Sequence, residues 1–193
     1  MVSGKGKSGM AKKVKRSASK EQRQVFVQGR PATLVGKAVR VGAAVPDFSL
    51  FVFEEGIVGR FTKQDVLDFG KPCLLCCMTS VDTKVGTVQA RKFERYLSMF
   101  DRDVVGVLVT SDLPFTMNRF VQQEVIEHMI PASDDRAGTF GRQFGILLEE
   151  HAVLTRAVFV VDHNGIVQYE QVVTEFTDEP DYAAALNVLD DLR

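Results

Sequence analysis

Three cysteines fall within five positions, Cys73, Cys76 and Cys77, and they are the only thiols in a chain of 193 residues. Cys-x-x-Cys is a spacing used by redox dithiols and by zinc ligands, so those two chemistries come first. A redox pair needs the turn after a strand and a helix N-terminus, where a thiolate is stabilised. Here the run from Cys73 to Met78 is apolar throughout and follows Gly70 and Pro72, the pattern of a central strand covered on both faces. Along a strand at ~3.3 Å per residue, Cys73 and Cys76 stand ~10 Å apart, beyond the ~7 Å at which Cα atoms can be bridged, and face opposite sides. Cys76 and Cys77 also point to opposite faces. Thiols in apolar surroundings have raised pKa and are inert, so the three read as small buried hydrophobes. Cys77, nearest the end of the run, is the one substitute nucleophile to keep in view.

Alcohols follow at Thr79, Ser80, Thr83 and Thr87. His128, His151 and His163 have no carboxylate or cysteine at ligand spacing and read as surface or loop positions, so no metal and no cofactor is expected. Gly36, Gly42 and the glycines of residues 138–145 do not fit a phosphate-binding fingerprint and read as turns. Phe140, Phe144, Ile146 and Leu147 read as core or dimer surface.

The alcohols are positioned by what surrounds them. Residues 79–84 connect the buried strand to a helix from Val85 onward, in which Phe93, Tyr96, Leu97 and Phe100 recur at i, i+3, i+4 and i+7. The loop thus lies at a strand's C-terminal end and a helix's N-terminal end. Free N–H groups and the positive end of the helix dipole point there, which is where α/β sheets usually hold ligands.

This segment, Thr79-Ser-Val-Asp-Thr83-Lys-Val-Gly86 with Gln89-Ala-Arg-Lys-Phe93, resembles the active-site segment of the thiol peroxidases, atypical two-cysteine peroxiredoxins. Four further motifs line up in order: Val45-Pro-Asp-Phe48, Ser111-Asp-Leu-Pro-Phe115, Arg156-Ala-Val-Phe-Val-Val-Asp162 and Glu179-Pro-Asp-Tyr-Ala-Ala-Ala-Leu186. The resemblance extends over roughly residues 26–192 and implies a thioredoxin-like fold, thioredoxin-dependent reduction of hydrogen peroxide and organic hydroperoxides, and a homodimer. It also places family roles on this chain. Thr83 would hydrogen-bond the peroxide, and Arg156 would hold the nucleophile as thiolate or instead brace the loop through backbone carbonyls. The family has Pro at position 79, the peroxide-attacking Cys at position 86 and the resolving Cys at position 121. Here those positions hold Thr79, Gly86 and Val121. Hydroxyls cannot stand in, because peroxide reduction needs an ionisable sulfur that passes through a sulfenic acid. The expectation is a catalytically impaired or inactive copy acting as a binding or regulatory homologue or dimer partner. The alternatives are a peroxidase using Cys77, with thioredoxin a partner only in that case, or a surface binder driven by the N-terminal segment.

That segment is chemically distinct. The formal net charge of the chain is −1, yet residues 1–24 hold eight Lys or Arg against Glu21 alone, about +7, leaving about −8 for the remainder. Rich in Gly, Ser and Lys, residues 1–24 read as a disordered tail with weak, salt-dependent affinity for nucleic acid or anionic lipid. Residues 25–193 read as one domain, with 45% hydrophobic and 25% charged residues in the whole chain, an ordinary globular composition. No apolar run approaches the ~20 residues that cross a bilayer, and no secretory signal is recognisable. Three reduced cysteines favour the cytoplasm.

Along residues 25–193, a hairpin at 26–35 and a second strand pair at 46–62 turning at Glu54-Glu-Gly56 precede a short helix at 63–69. After the central strand and its helix come a strand at 104–109 and a helix from Leu113-Pro114. Strands at 157–161 and 166–173 flank Asn164-Gly165, and a last helix at 181–192 follows Pro180. Alternating strands and helices predict parallel pairing with crossover helices. The fold class is α/β, a thioredoxin-like (peroxiredoxin) sandwich with a central mixed sheet, flanking helices and an added N-terminal β-hairpin.

Overall fold

A computed structural model describes residues 24–100, 102–135 and 138–193. The basic segment 1–24 therefore lies, except for Gln24, outside the described residues, and so does its expected polyanion binding. In chain order the elements are β1 (Val25–Val27), β2 (Arg30–Ala32), β3 (Leu34–Val35), β4 (Ser49–Glu54), β5 (Ile57–Thr62), α1 (Lys63–Asp68), β6 (Cys73–Cys77), α2 (Lys84–Leu97), β7 (Val105–Thr110), α3 (Pro114–Glu124), β8 (Met129–Ser133), α4 (Thr139–Phe144), β9 (Leu147–Leu148), β10 (Val153–Leu154), β11 (Ala157–Val161), β12 (Val167–Val172) and α5 (Tyr182–Asp191).

Seven strands form the main sheet in the order β12-β11-β6-β7-β8-β4-β5. β6, β7 and β8 run parallel, joined by α2 and α3 as crossovers. β6 pairs on its other side with antiparallel β11, so it is central and every residue in it is buried. β-branched and aliphatic side chains suit strands covered on both faces. β1 and β2 make the N-terminal hairpin, while β3 joins β9 and β10 in a separate three-stranded sheet.

The two faces of the main sheet carry separate cores. One gathers Cys73, Leu75 and Cys77 with Val66 of α1 and with Phe140 and Phe144 of α4. The other gathers Leu74, Cys76 and Met78 with Ala90, Phe93 and Leu97 of α2, Met117 and Phe120 of α3, and Leu186 and Leu189 of α5. The period of two along β6 puts Cys73 and Cys77 on one face and Cys76 on the other. Phe140, Phe144, Ile146 and Leu147 are all core, which decides between the two placements their sequence left open.

Two differences from the sequence reading concern elements and faces. The buried stripe of α2 begins at Gly86 and runs through Gln89, Ala90, Phe93 and Leu97, whereas Tyr96 is 41% exposed. The stretch 129–154, to which the sequence reading assigned no strand or helix and only turns at the glycines of 138–145, contains β8, α4, β9 and β10. Gly138 and Gly145 bound α4 with φ of 56° and 64°, a conformation glycine adopts without penalty.

Candidate functional site

The loop after β6 is held by its own hydroxyls. Thr83 is the N-cap of α2: its Oγ1 accepts from Gly86 N at 3.1 Å and donates to the Ser80 carbonyl at 2.9 Å. Thr87 Oγ1 donates to Val81 O at 2.8 Å, and Ser80 Oγ accepts from Asp82 N at 3.1 Å. The loop is also tied outward. Thr79 Oγ1 donates to Leu154 O at 2.5 Å, the Leu154 amide donates to Ser111 Oγ at 2.8 Å, and Val81 N donates to Asp112 Oδ2 at 2.8 Å. Thr79, which stands where the resemblance has proline, thereby fastens the loop to the segment that leads into Arg156.

Gly86 is the third residue of α2 and is buried. An ideal Cβ placed on it would lie 2.3 Å from Ser80 O, 2.6 Å from Thr83 Oγ1 and 3.1 Å from Met78 Sδ. Position 86 therefore carries neither a side chain nor the space for one.

Arg156 precedes β11 and is 1% exposed. Its Nη1 donates to Gln89 Oε1, and its Nη2 donates to Phe176 O at 3.4 Å, while Nε has no hydrogen-bond partner among the described residues. Both acceptors are neutral. Burial draws the guanidinium pKa below its ordinary value, and Cys76, Tyr182 and Glu179 act in the opposite direction. A buried cation with only neutral acceptors costs several kcal/mol in desolvation, which is the environment in which a nearby group gains most by becoming an anion.

The thiol nearest this cation is not Cys77. Gln89 Nε2 donates to Cys76 Sγ at 3.1 Å, and Gln89 and Arg156 both favour the Cys76 thiolate, yet burial still pushes that thiol up to about 12. Cys77 lies on the opposite face of the sheet. Burial raises its pKa well above the thiol range, and Cys76, Asp134 and Cys73 raise it further. Burial raises Cys73 as well. All three are free thiols and fully enclosed.

Gly86, Thr83, Gln89 and Arg156 are thus brought together under the first turns of α2. Val121 lies on α3, half-buried against the core of that same face. Cys77 is not part of the assembly. Gln89 and Met78 belong to it as well; the sequence places Gln89 in the motif and Met78 at the end of the buried strand but assigns neither a role at the site. The signal for Gln89 was its spacing of three from Gly86, which puts both on one helical face.

The AhpC/TSA family model matches residues 41–170. The chain belongs to this family. Among curated relatives, the thiol peroxidase of Streptococcus gordonii is 37% identical over 165 residues, which covers 85% of this chain and 97% of that protein. The thiol peroxidase of Bacillus subtilis is 33% identical over 160 residues, covering 82% and 92%. A crystal structure of a peroxiredoxin-like protein from Aquifex aeolicus superposes with a TM-score of 0.77 at 30% identity, covering 89% of this chain and 98% of the other. The thiol peroxidase from Chromobacterium violaceum gives 0.76 at 21% identity over 89% and 97%, a likeness of fold. Family and fold are those the motifs implied. Within this AhpC/TSA chain His128 is half-buried, its Nδ1 2.6 Å from Glu94 Oε1, while His151 is exposed. Among the described residues no cluster of His, Cys, Asp and Glu could hold a metal, and no helix is long and apolar enough to cross a membrane.

Proposed function

We propose that this chain is a thiol peroxidase homologue that has lost peroxidase turnover and serves as a binding or regulatory protein, including as a dimer partner. The observation that carries the reading is Gly86 with its side-chain space filled. Peroxide reduction starts with attack of a thiolate sulfur on the peroxide oxygen, forming S–O as O–O breaks and water or an alcohol leaves; a second thiol then attacks the sulfenic sulfur, forming a disulfide and expelling the sulfenic oxygen as water. Position 86 offers no sulfur and position 121 no second one. Cys77, the alternative nucleophile, sits in the core of the opposite face with its thiol held protonated. The reading is tested by peroxide consumption with thioredoxin as reductant, which should not exceed the rate without protein.

A homodimer is part of the proposal. Leu113 and Phe115 are each 52% exposed just beyond Asp112, which holds the Val81 amide of the site loop, and Phe115 packs on Phe53 at 5.1 Å between ring centroids. Apolar surface of this kind beside the loop suits a second copy. Three free thiols suit a reducing cytoplasm.

A further inference from the structure

The negative charge of residues 25–193 is concentrated in one place. Residues 175–193 hold six acidic side chains against Arg193 alone, about −5 of the −8 that offsets the basic segment. Between α5 and the end of α2 the surface opens into a groove of about 740 Å³. Met99, Phe100, Tyr182 and Leu186 give it an apolar floor, and Asp181 and Asp190 stand in its walls. Met99 is 65% exposed there. Methionine and aromatic side chains left open in this way suit the apolar anchors of a peptide. Arg193, the one cation of the lining, lies 4.8 Å from the Phe100 ring centre and pairs with Asp190.

The segment before β1 is the chemical complement of this groove. Met10 and Val14, four apart, are set among Lys12, Lys13, Lys15 and Arg16. Its attachment point is also close. Phe26 N donates to Thr174 O at 2.7 Å and Phe176 N donates to Phe26 O at 2.8 Å, which fixes β1 against the stretch that leads to Pro180 at the groove. Thr174 and Pro180 are at most about 22 Å apart along the chain, while the stretch from Val14 to Gln24 can span about 35 Å.

We propose that residues 10–16 dock in this groove of their own chain, Met10 and Val14 on the apolar floor and the four cations toward Asp181, Asp190 and the acidic residues beside them. The groove then competes with any nucleic acid for the same lysines, an internal brake on polyanion binding. Tethering lets weak contacts suffice, because the segment is held at roughly millimolar effective concentration. Exposed, screened charges add little to global stability, so the contact is read by a local reporter and not by unfolding. It is independent of whether turnover has been lost.

The chain has no tryptophan, so Met99→Trp places a single reporter in the groove. In the full-length protein at low salt its emission should be blue-shifted relative to the same protein carrying Lys12→Gln, Lys13→Gln, Lys15→Gln and Arg16→Gln. Raising salt to about 0.5 M, where charges are screened within roughly 5 Å, should bring the two spectra together. The shift should not depend on protein concentration. Identical spectra at low salt would overturn the proposal, and so would a shift that grows with concentration, which places the segment of one copy on another. With Met99 in place, Met10→Ser combined with Val14→Ser leaves every charge unchanged and should tighten binding of a DNA fragment about twofold by releasing the segment. A DNA affinity unmoved by that pair would also overturn it.

Discussion

The Arg156 guanidinium donates from Nη1 to the side-chain oxygen of Gln89, one helical turn along α2 from Gly86. The cation that the family resemblance assigns to a thiolate is satisfied instead by a neutral amide, and that amide passes its own N–H on to Cys76 Sγ. The amide keeps a buried charge tolerable. Gln89→Leu, which leaves the charge without its main acceptor, should cost about 3 kcal/mol in urea unfolding. Arg156→Met combined with Gln89→Leu should recover most of that loss, since apolar side chains of similar volume replace a buried polar pair at little cost. A Gln89→Leu protein as stable as the parent would show that the guanidinium does not depend on this bond.

The enclosed thiols give the protein an alkaline limit. The Cys76 thiol holds its proton to about 12 in the folded state against an ordinary value of 9.0, because burial disfavours the thiolate. The folded chain then binds more protons than the unfolded chain across that interval. The contribution of this thiol to stability is full below pH about 9 and is lost as pH rises toward 12. Urea midpoints measured between pH 7 and 11 should fall at the alkaline end, and Cys76→Ala should flatten that fall relative to the parent. Parallel curves for the two proteins would contradict the assignment.

The charge division along the chain leads to a separate expectation. Residues 1–24 carry about +7, and β1 begins only at Val25. Removing residues 1–24 should change the melting temperature by less than about 2 °C while abolishing any salt-sensitive shift of a DNA fragment in a gel. A large loss of stability on truncation would show that this segment packs on the folded part.

Much of the fold was legible because its apolar pattern is periodic and undiluted. The run at Cys73–Cys77 admits few readings other than a central strand, and Asn164-Gly165 marks its hairpin directly, with Gly165 at φ 77°. β8 was hidden by Pro131, which is tolerated because β8 pairs with β4 only at Ser133. α4 was hidden by its glycines, although Phe140 and Phe144 stand four apart and stack at 4.0 Å. At the candidate site, Thr83, Gly86 and Arg156 were found through their motif. Gln89 stood in the same motif, but its burial against Arg156 was not legible because a polar side chain drops out of a hydrophobic stripe even when it is fully buried there. Met78 reads as the end of a strand, and its contact with position 86 arises only once α2 is packed over β6.

The proposed loss of peroxidase turnover is tested most directly by following NADPH oxidation in a mixture of this protein, thioredoxin, thioredoxin reductase and either hydrogen peroxide or an organic hydroperoxide. Position 86 holds glycine, position 121 holds valine, and the three thiols are enclosed with their protons held. The rate should equal that of the mixture without the protein. Protein-dependent turnover that disappears in Cys77→Ser or Cys76→Ser would contradict the account and establish a substitute thiol as the nucleophile.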